Sequence, residues 1–156
     1  MSVLDAQAVI AALVGEPAAG EVEGLLRGSD GPPRVSAANV AEIVDVLVRF
    51  RSQEIAPVEE RLDWLVAGGL EVIAVDDPLA RRAGAVRSRH YHARQRPISL
   101  ADCLALATAL ALDDVLATSD PHLLDTATVE GCRVRALQDA RGVKHAIAPS
   151  PHVPRT

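Results

Sequence analysis

Four acidic residues, Asp5, Glu42, Asp102 and Asp120, stand where an open parallel α/β sheet binds its ligands, beyond the strand ends and in the turns that open the following helices. Asp5 follows the aliphatic pair Val3-Leu4, and Glu42 lies in the first turn or so of a helix after Arg34-Val35-Ser36. Asp102 opens a helix that begins at Ser99, and Asp120 follows Val115 to Thr118. Carboxylates gathered at about 4 Å repel by roughly 4 kcal/mol per pair at an effective dielectric near 20. A divalent cation removes that penalty. With no conveniently spaced histidine or cysteine, the donor set favours Mg²⁺ or Mn²⁺ over zinc. Such an ion keeps several waters and an open side for phosphate oxygens, so phosphodiester hydrolysis is the natural chemistry. No glycine-rich P-loop, GxGxxG or GxSxG motif competes with it.

Each acid also has a purely structural role open to it. Asp5 can cap the helix that starts at Ala6, and Asp120 before Pro121 matches an N-cap with proline at the first helical position. Asp102, three residues after Ser99, forms a relative of the capping box. Glu42 can be a surface carboxylate near Asp45 and Arg49. Asp102 is the hardest to explain by structure alone, because it carries the only charge in the apolar run from Leu100 to Leu112. That pattern describes a buried helix, and a buried carboxylate needs a partner.

The elements that must position these acids alternate between short apolar runs and longer helical periods, which predicts βαβ units and a parallel sheet. Strands are expected at Val3-Leu4, Arg34 to Ser36, Leu70 to Val75, Val115 to Thr118 and near Cys132 to Leu137. The third, mostly aliphatic, reads as buried. Helices are expected from Ala6 to Val14, from about Pro17 to Arg27, from Asn39 to Gln53, from Pro57 to Gly68-Gly69, from Asp77-Pro78 through the arginines, from Ser99 to Leu112, and from Pro121. Residues 1–137 form one domain; the tail 138–156, with Pro149, Pro151 and Pro154, is expected to be partly disordered or laid against a partner.

A chain of 156 residues with 49% hydrophobic and 24% charged residues has enough apolar surface for one core and is neither disordered nor low-complexity. Its three aromatic residues, Phe50, Trp64 and Tyr91, are too few for a base-stacking platform. Cys103 and Cys132 form no CxxC pair and read as free thiols of a reducing compartment. The N-terminal segment lacks a basic leader and no apolar run is long enough to span a membrane, so the expected location is cytoplasmic. The net charge of −5 excludes coating of nucleic acid by bulk attraction, yet Arg81, Arg82, Arg87, Arg89, Arg94 and Arg96 occur without an intervening acid. They form either a solvated helix face or a phosphate-contacting surface.

Four segments together resemble a known family: Val3-Leu4-Asp5 before a helix, Ser36-Ala37-Ala38-Asn39-Val40-Ala41-Glu42-Ile43, Ser99-Leu100-Ala101-Asp102-Cys103-Leu104-Ala105-Leu106-Ala107, and Leu116-Ala117-Thr118-Ser119-Asp120. In order and spacing they are similar to PIN-domain ribonucleases, and most closely to the VapC-like toxins of bacterial toxin–antitoxin pairs, over about residues 1–137. The resemblance implies a PIN-like α/β/α sandwich with a central, mainly parallel sheet of four to five strands flanked by helices. It implies that Asp5, Glu42, Asp102 and Asp120 are catalytic and bind the metal, with Thr118 or Ser119 standing behind them. It further implies Mg²⁺-dependent (or Mn²⁺-dependent) endoribonuclease activity, a homodimer, and inhibition by a small antitoxin. The family pattern has a hydroxyl residue soon after the first aspartate, whereas here Ala6-Gln7 follow, which weakens support for that acid.

The remaining candidates carry less. His122 is within reach of a substrate near Asp120 but also fits a helix surface, and His90 and His92 do not share a helix face, which disfavours zinc. Trp64, with Leu62 and Leu65, and the stretch Leu47 to Phe50 read as core, with an antitoxin-binding groove as the alternative. Two other functions compete with a nuclease. One is a PIN-fold binding module without appreciable cleavage, for which Ala6-Gln7 speaks. The other is a phosphoacceptor receiver domain, which needs a lysine after a late strand; Lys144, in the tail, is the only lysine.

Overall fold

In the first strand, β1 (Ser2–Leu4), Val3 and Leu4 are both fully buried, yet each belongs to a different core. This follows from the twofold period of a strand, and it means that both faces of the sheet are covered. Leu116 and Ala117 of β4 (Val115–Thr118) divide in the same way. The computed structural model describes residues 1–28 and 31–147. β1 and β4 form the centre of a five-stranded sheet with β2 (Arg34–Ser36), β3 (Glu71–Ile73) and β5 (Val134–Ala136), in the order β3-β2-β1-β4-β5. Every pairing is parallel.

One face is covered by α1 (Ala6–Val14), α2 (Ala19–Leu26), α3 (Ala37–Asp45) and α4 (Ile55–Ala67), whose Val9, Ile10, Leu25, Ile43 and Leu62 pack on Leu4 and Val35. The other is covered by α5 (Asp77–His90), α6 (Leu100–Leu112) and α7 (Pro121–Val129). The α/β/α sandwich with a parallel sheet expected from the sequence is therefore present. Because the chain runs outward from β1 to β2 and β3 and then returns to the opposite side at β4, the sheet reverses its winding between β1 and β4. The crevice at the carboxyl ends of those strands is the ligand-binding position of such a sheet.

Four expectations need correction. The strand over 70–75 is not buried: β3 is the sheet edge, and Glu71 and Val72 are exposed. An aliphatic run serves either place, and only the strand order distinguishes them. The long helix expected from Asn39 starts at Ala37, with Ser36 as its N-cap, and changes at Val46–Phe50 into a π-helical turn closed by the Arg51 N–H on the Val46 carbonyl at 3.1 Å. That turn rotates Leu47 inward and leaves Phe50 outside, beneath the Arg49 guanidinium. Trp64 is 69% exposed although Leu62 is buried, because residues two apart on a helix face opposite ways. Finally, α6 is buried from Cys103 to Ala109 but not on every face, since Leu100 and Leu112 at its ends are exposed.

Cys103 and Cys132 are free and buried. No helix among the described residues is long and apolar enough to cross a membrane. Of the tail, residues 138–147 turn back on themselves through a Gln138–Lys144 bridge and reach the domain through Lys144–Glu21 and His145–Asp125 pairs. The rest of the tail, 148–156, lies outside the described residues.

Candidate metal centre

Asp5 ends β1 and caps α1, its Oδ1 accepting the Ala8 N–H at 2.7 Å. Its Oδ2 accepts the hydroxyl proton of Thr118, the last residue of β4, which is itself fully buried. The Thr118 oxygen in turn accepts the Asp120 N–H at 3.0 Å. One side chain thus ties the first acid to the backbone of the last, across the two strands where the winding reverses. Ser119, the other residue expected behind the metal ligands, faces elsewhere: it lines a shallow cavity with Pro121, Asp139, Arg141, Val143 and His145.

The capping roles anticipated for the acids are present too. Asp120 caps α7 with Oδ1, which accepts the N–H groups of His122 at 2.6 Å and Leu123 at 3.1 Å. Asp102 and Ser99 form a reciprocal capping box: the Ser99 N–H donates to Asp102 Oδ2 at 2.6 Å, and the Asp102 N–H donates to the serine oxygen at 3.0 Å. Glu42 caps nothing. It lies in the second turn of α3, one turn later than expected, and the nearby Arg49 pairs with Asp45 instead, at 2.5 Å. The Glu42 Oε2 atom is buried without a hydrogen bond.

Capping does not discharge the electrostatic problem. Burial pushes the Asp5 carboxyl up to about 7 from an ordinary 3.8, against the lowering effect of Thr118 and Ala8, and the charges of Asp102 and Asp120 add to the rise. Burial also raises Glu42, with Asp102 and then Asp120 contributing repulsion. Asp102 is raised by burial and by Asp120, against its bonds to Ser99. The four acids named from the sequence therefore share one field at the β1/β4 crevice.

The donor set suits a hard divalent cation: oxygen atoms only, with Asp5, Glu42 and Asp102 destabilised as anions and the Glu42 Oε2 orphaned in the protein interior. Neither Asp102 Oδ1 nor Asp120 Oδ2 receives a hydrogen bond from a described residue. As the side chains stand, however, no group of three or more His, Cys, Asp or Glu among the described residues is drawn together tightly enough to hold an ion. Asp5, Asp102 and Asp120 each turn an oxygen to a helix N-terminus, and Asp5 also to Thr118, whereas Glu42 does neither. Thr118→Val removes the hydroxyl that orients Asp5 while keeping the shape of the side chain. It should weaken divalent-cation affinity by roughly 10–100-fold, measured by titrating Mn²⁺ against thermal stability.

The arginines are unequal. Arg81 pairs with Asp77 at 2.7 Å, and Arg89 forks onto Glu130 at 2.9 Å. Arg96 lies 3.4 Å from His90 Nδ1, while His90 Nε2 is 2.6 Å from Glu130. Arg82, Arg87 and Arg94 make no ion pair with a described residue. Arg87 lies 4.2 Å over the Tyr91 ring, and with Gly84, Ser88 and Leu100 the two line a cavity of about 300 Å³ at the amino end of α6. His92 lies outside α5, in a bridge with Arg96, so the helical spacing expected for His90 and His92 does not apply. The Cys103 thiol beside Asp102 is pushed up to about 11 by burial and by that acid, which leaves it unreactive.

The sequence model of the PIN domain matches residues 2–129. None of the curated proteins matches the sequence significantly. Among solved structures, VapBC2 from Rickettsia felis bound to a DNA fragment from their promoter is 17% identical, with a TM-score of 0.64 over 88% of this chain and 98% of that one. DNA-bound VapBC from Salmonella typhimurium is 18% identical, with a TM-score of 0.63 over 86% and 96%. VapBC-1 from nontypeable Haemophilus influenzae is 20% identical, with a TM-score of 0.60 over 86% and 96%. At these identities the likeness is one of fold.

Proposed function

Because this chain belongs to the PIN-domain family, we propose that it is a metal-dependent endoribonuclease, the toxin of a VapBC-type pair, working in the cytoplasm as a homodimer held in check by a small antitoxin. One observation carries the reading: Asp5, Glu42, Asp102 and Asp120, far apart in sequence, repel one another at the crevice where the sheet reverses. A bound Mg²⁺ or Mn²⁺ would orient and acidify the attacking water and offset charge developing on the phosphorus centre. The chain's own part is to hold the acids ready. Thr118 fixes Asp5, Ser99 fixes Asp102 through the capping box, and the α7 amides fix Asp120. Glu42 has no such tether and is the acid most able to move onto a ligand.

RNA would be guided by the arginines expected to contact phosphate, foremost Arg82, Arg87 and Arg94, whose charges are not neutralised by a described acid. Arg81, Arg89 and Arg96 would have to leave or share their present partners. The exposed Trp64, Phe50 and Val72 give an antitoxin helix apolar surface to cover.

A second reading, a PIN-fold binding module with little or no cleavage, has a specific observation in its favour: the acids do not stand close enough to hold an ion without moving. Digestion of RNA by purified protein in chelator, and then with Mg²⁺ or Mn²⁺, separates the two. Cleavage that appears only with the cation supports the nuclease. Cleavage that survives chelation rejects the metal assignment, and no cleavage under either condition leaves the binding module.

A further inference from the structure

Asn39 lies one helical turn before Glu42 on the same face of α3 and is wholly buried. Neither its Nδ2 nor its Oδ1 has a hydrogen-bond partner, and the Glu42 Oε2 is buried and unpartnered as well. A buried amide that makes no hydrogen bond gains nothing from the fold to offset its lost hydration, so proteins keep one only where something else requires it. The amide stands close enough to Glu42 to moderate the rise in that carboxyl's pKa, without completing a hydrogen bond to it. α3 packs against both α1, which Asp5 caps, and α6, which carries Asp102. The orphaned amide therefore stands beside Glu42, on the helix that packs against the elements carrying Asp5 and Asp102.

We propose that Asn39 is a positioning residue of this centre, with Nδ2 donating to Glu42 Oε2 and Oδ1 able to accept a hydrogen bond from water bound to a divalent cation that the acids would hold. The inference rests on the metal-dependent reading above. Its chemistry is that of a neutral side chain among four acids: it supplies a donor to one carboxylate and an acceptor to bound water without adding negative charge. In the absence of a cation the amide completes no hydrogen bond, and burying its two polar atoms is costly.

That asymmetry makes the proposal testable without measuring activity. Thermal melts and Mn²⁺ titrations are run on the full chain and on Asn39→Ala and Asn39→Asp, in chelator and with Mn²⁺. In chelator Asn39→Ala should melt no lower than the parent, because no satisfied hydrogen bond is lost, while its Mn²⁺ affinity falls roughly 10–100-fold. Asn39→Asp should melt lower in chelator, since it buries another carboxylate beside Glu42, yet gain at least as large an upward shift from Mn²⁺ as the parent. Should Asn39→Ala instead melt well below the parent in chelator and keep parental Mn²⁺ affinity, the amide serves packing alone and the proposal fails. If the parent itself shows no shift with Mn²⁺ or Mg²⁺, the metal-dependent reading fails, and the role of Asn39 fails with it.

Discussion

Asp102→Asn should lower metal-dependent RNA cleavage by more than roughly 100-fold while leaving the protein folded, since groups standing only behind metal ligands are already worth 10–100-fold. The substitution is well suited to the question because it separates the two roles that Asp102 plays. Its Oδ2 accepts the Ser99 N–H in the capping box, and an asparagine carbonyl can do the same, so α6 keeps its start. What is lost is a negative charge that burial and Asp120 already make unfavourable. In chelator the variant should therefore be at least as stable as the parent, and Glu42, which feels Asp102 before any other charge, should relax toward an ordinary carboxylate. Cleavage rates at saturating Mg²⁺, with melting temperatures alongside, test both halves. Parental rates in the folded variant would show that Asp102 is a cap and nothing more.

Much of this centre was legible in the primary structure because strand ends announce themselves. A short aliphatic run closed by a polar residue before a helical period gives the strand, its end and the residue facing the crevice together, as Val3-Leu4-Asp5 and Leu116-Ala117-Thr118-Ser119-Asp120 do. Capping and a ligand-facing role are not exclusive: Asp102 and Asp120 each cap with one oxygen and leave the other without a hydrogen bond from a described residue. A helix N-terminus presents its amides to the same crevice, so one carboxylate can cap the helix with one oxygen and keep the other for a ligand.

What the sequence could not supply depends on long-range placement. Whether Thr118 or Ser119 supports Asp5 is decided by which of two neighbouring hydroxyls turns inward at the end of β4. The partner of Arg89 and His90 is Glu130, about forty positions away, so the arginine-rich segment looked more uniform than it is. The residue type of Trp64 points to the core, but its helical phase relative to the buried Leu62 places it outside. Asn39 carries a readable signal in the sequence: a polar side chain three residues before Glu42, on a face otherwise expected to be apolar.

The metal-free protein should lose stability as the pH rises from about 4 to about 7, the reverse of the usual acid lability of carboxylate-rich proteins. Asp5 is the cause. In the fold its carboxyl holds a proton up to about 7, whereas in the unfolded chain it gives the proton up near its ordinary 3.8. Between those values the folded state binds more protons than the unfolded state, so stability falls with pH, by about 4 kcal/mol over the full window. Burial raises Glu42 and Asp102 as well, and they add to the same slope. Asp45 and Asp139, held low by Arg49 and by local hydrogen bonds, act with the opposite sign but at lower pH, and both are screened by solvent. Urea midpoints in chelator at pH 5, 6, 7 and 8 should therefore decline for the parent and flatten for Asp5→Asn, which removes the buried charge while retaining an acceptor for Ala8. The cation must displace the same proton, so Mn²⁺ affinity should climb over the interval in which metal-free stability drops. A midpoint that holds steady or rises toward pH 8, with Asp5→Asn following the parent, would mean that Asp5 ionises at an ordinary pH and that the crevice is wetter than its burial indicates.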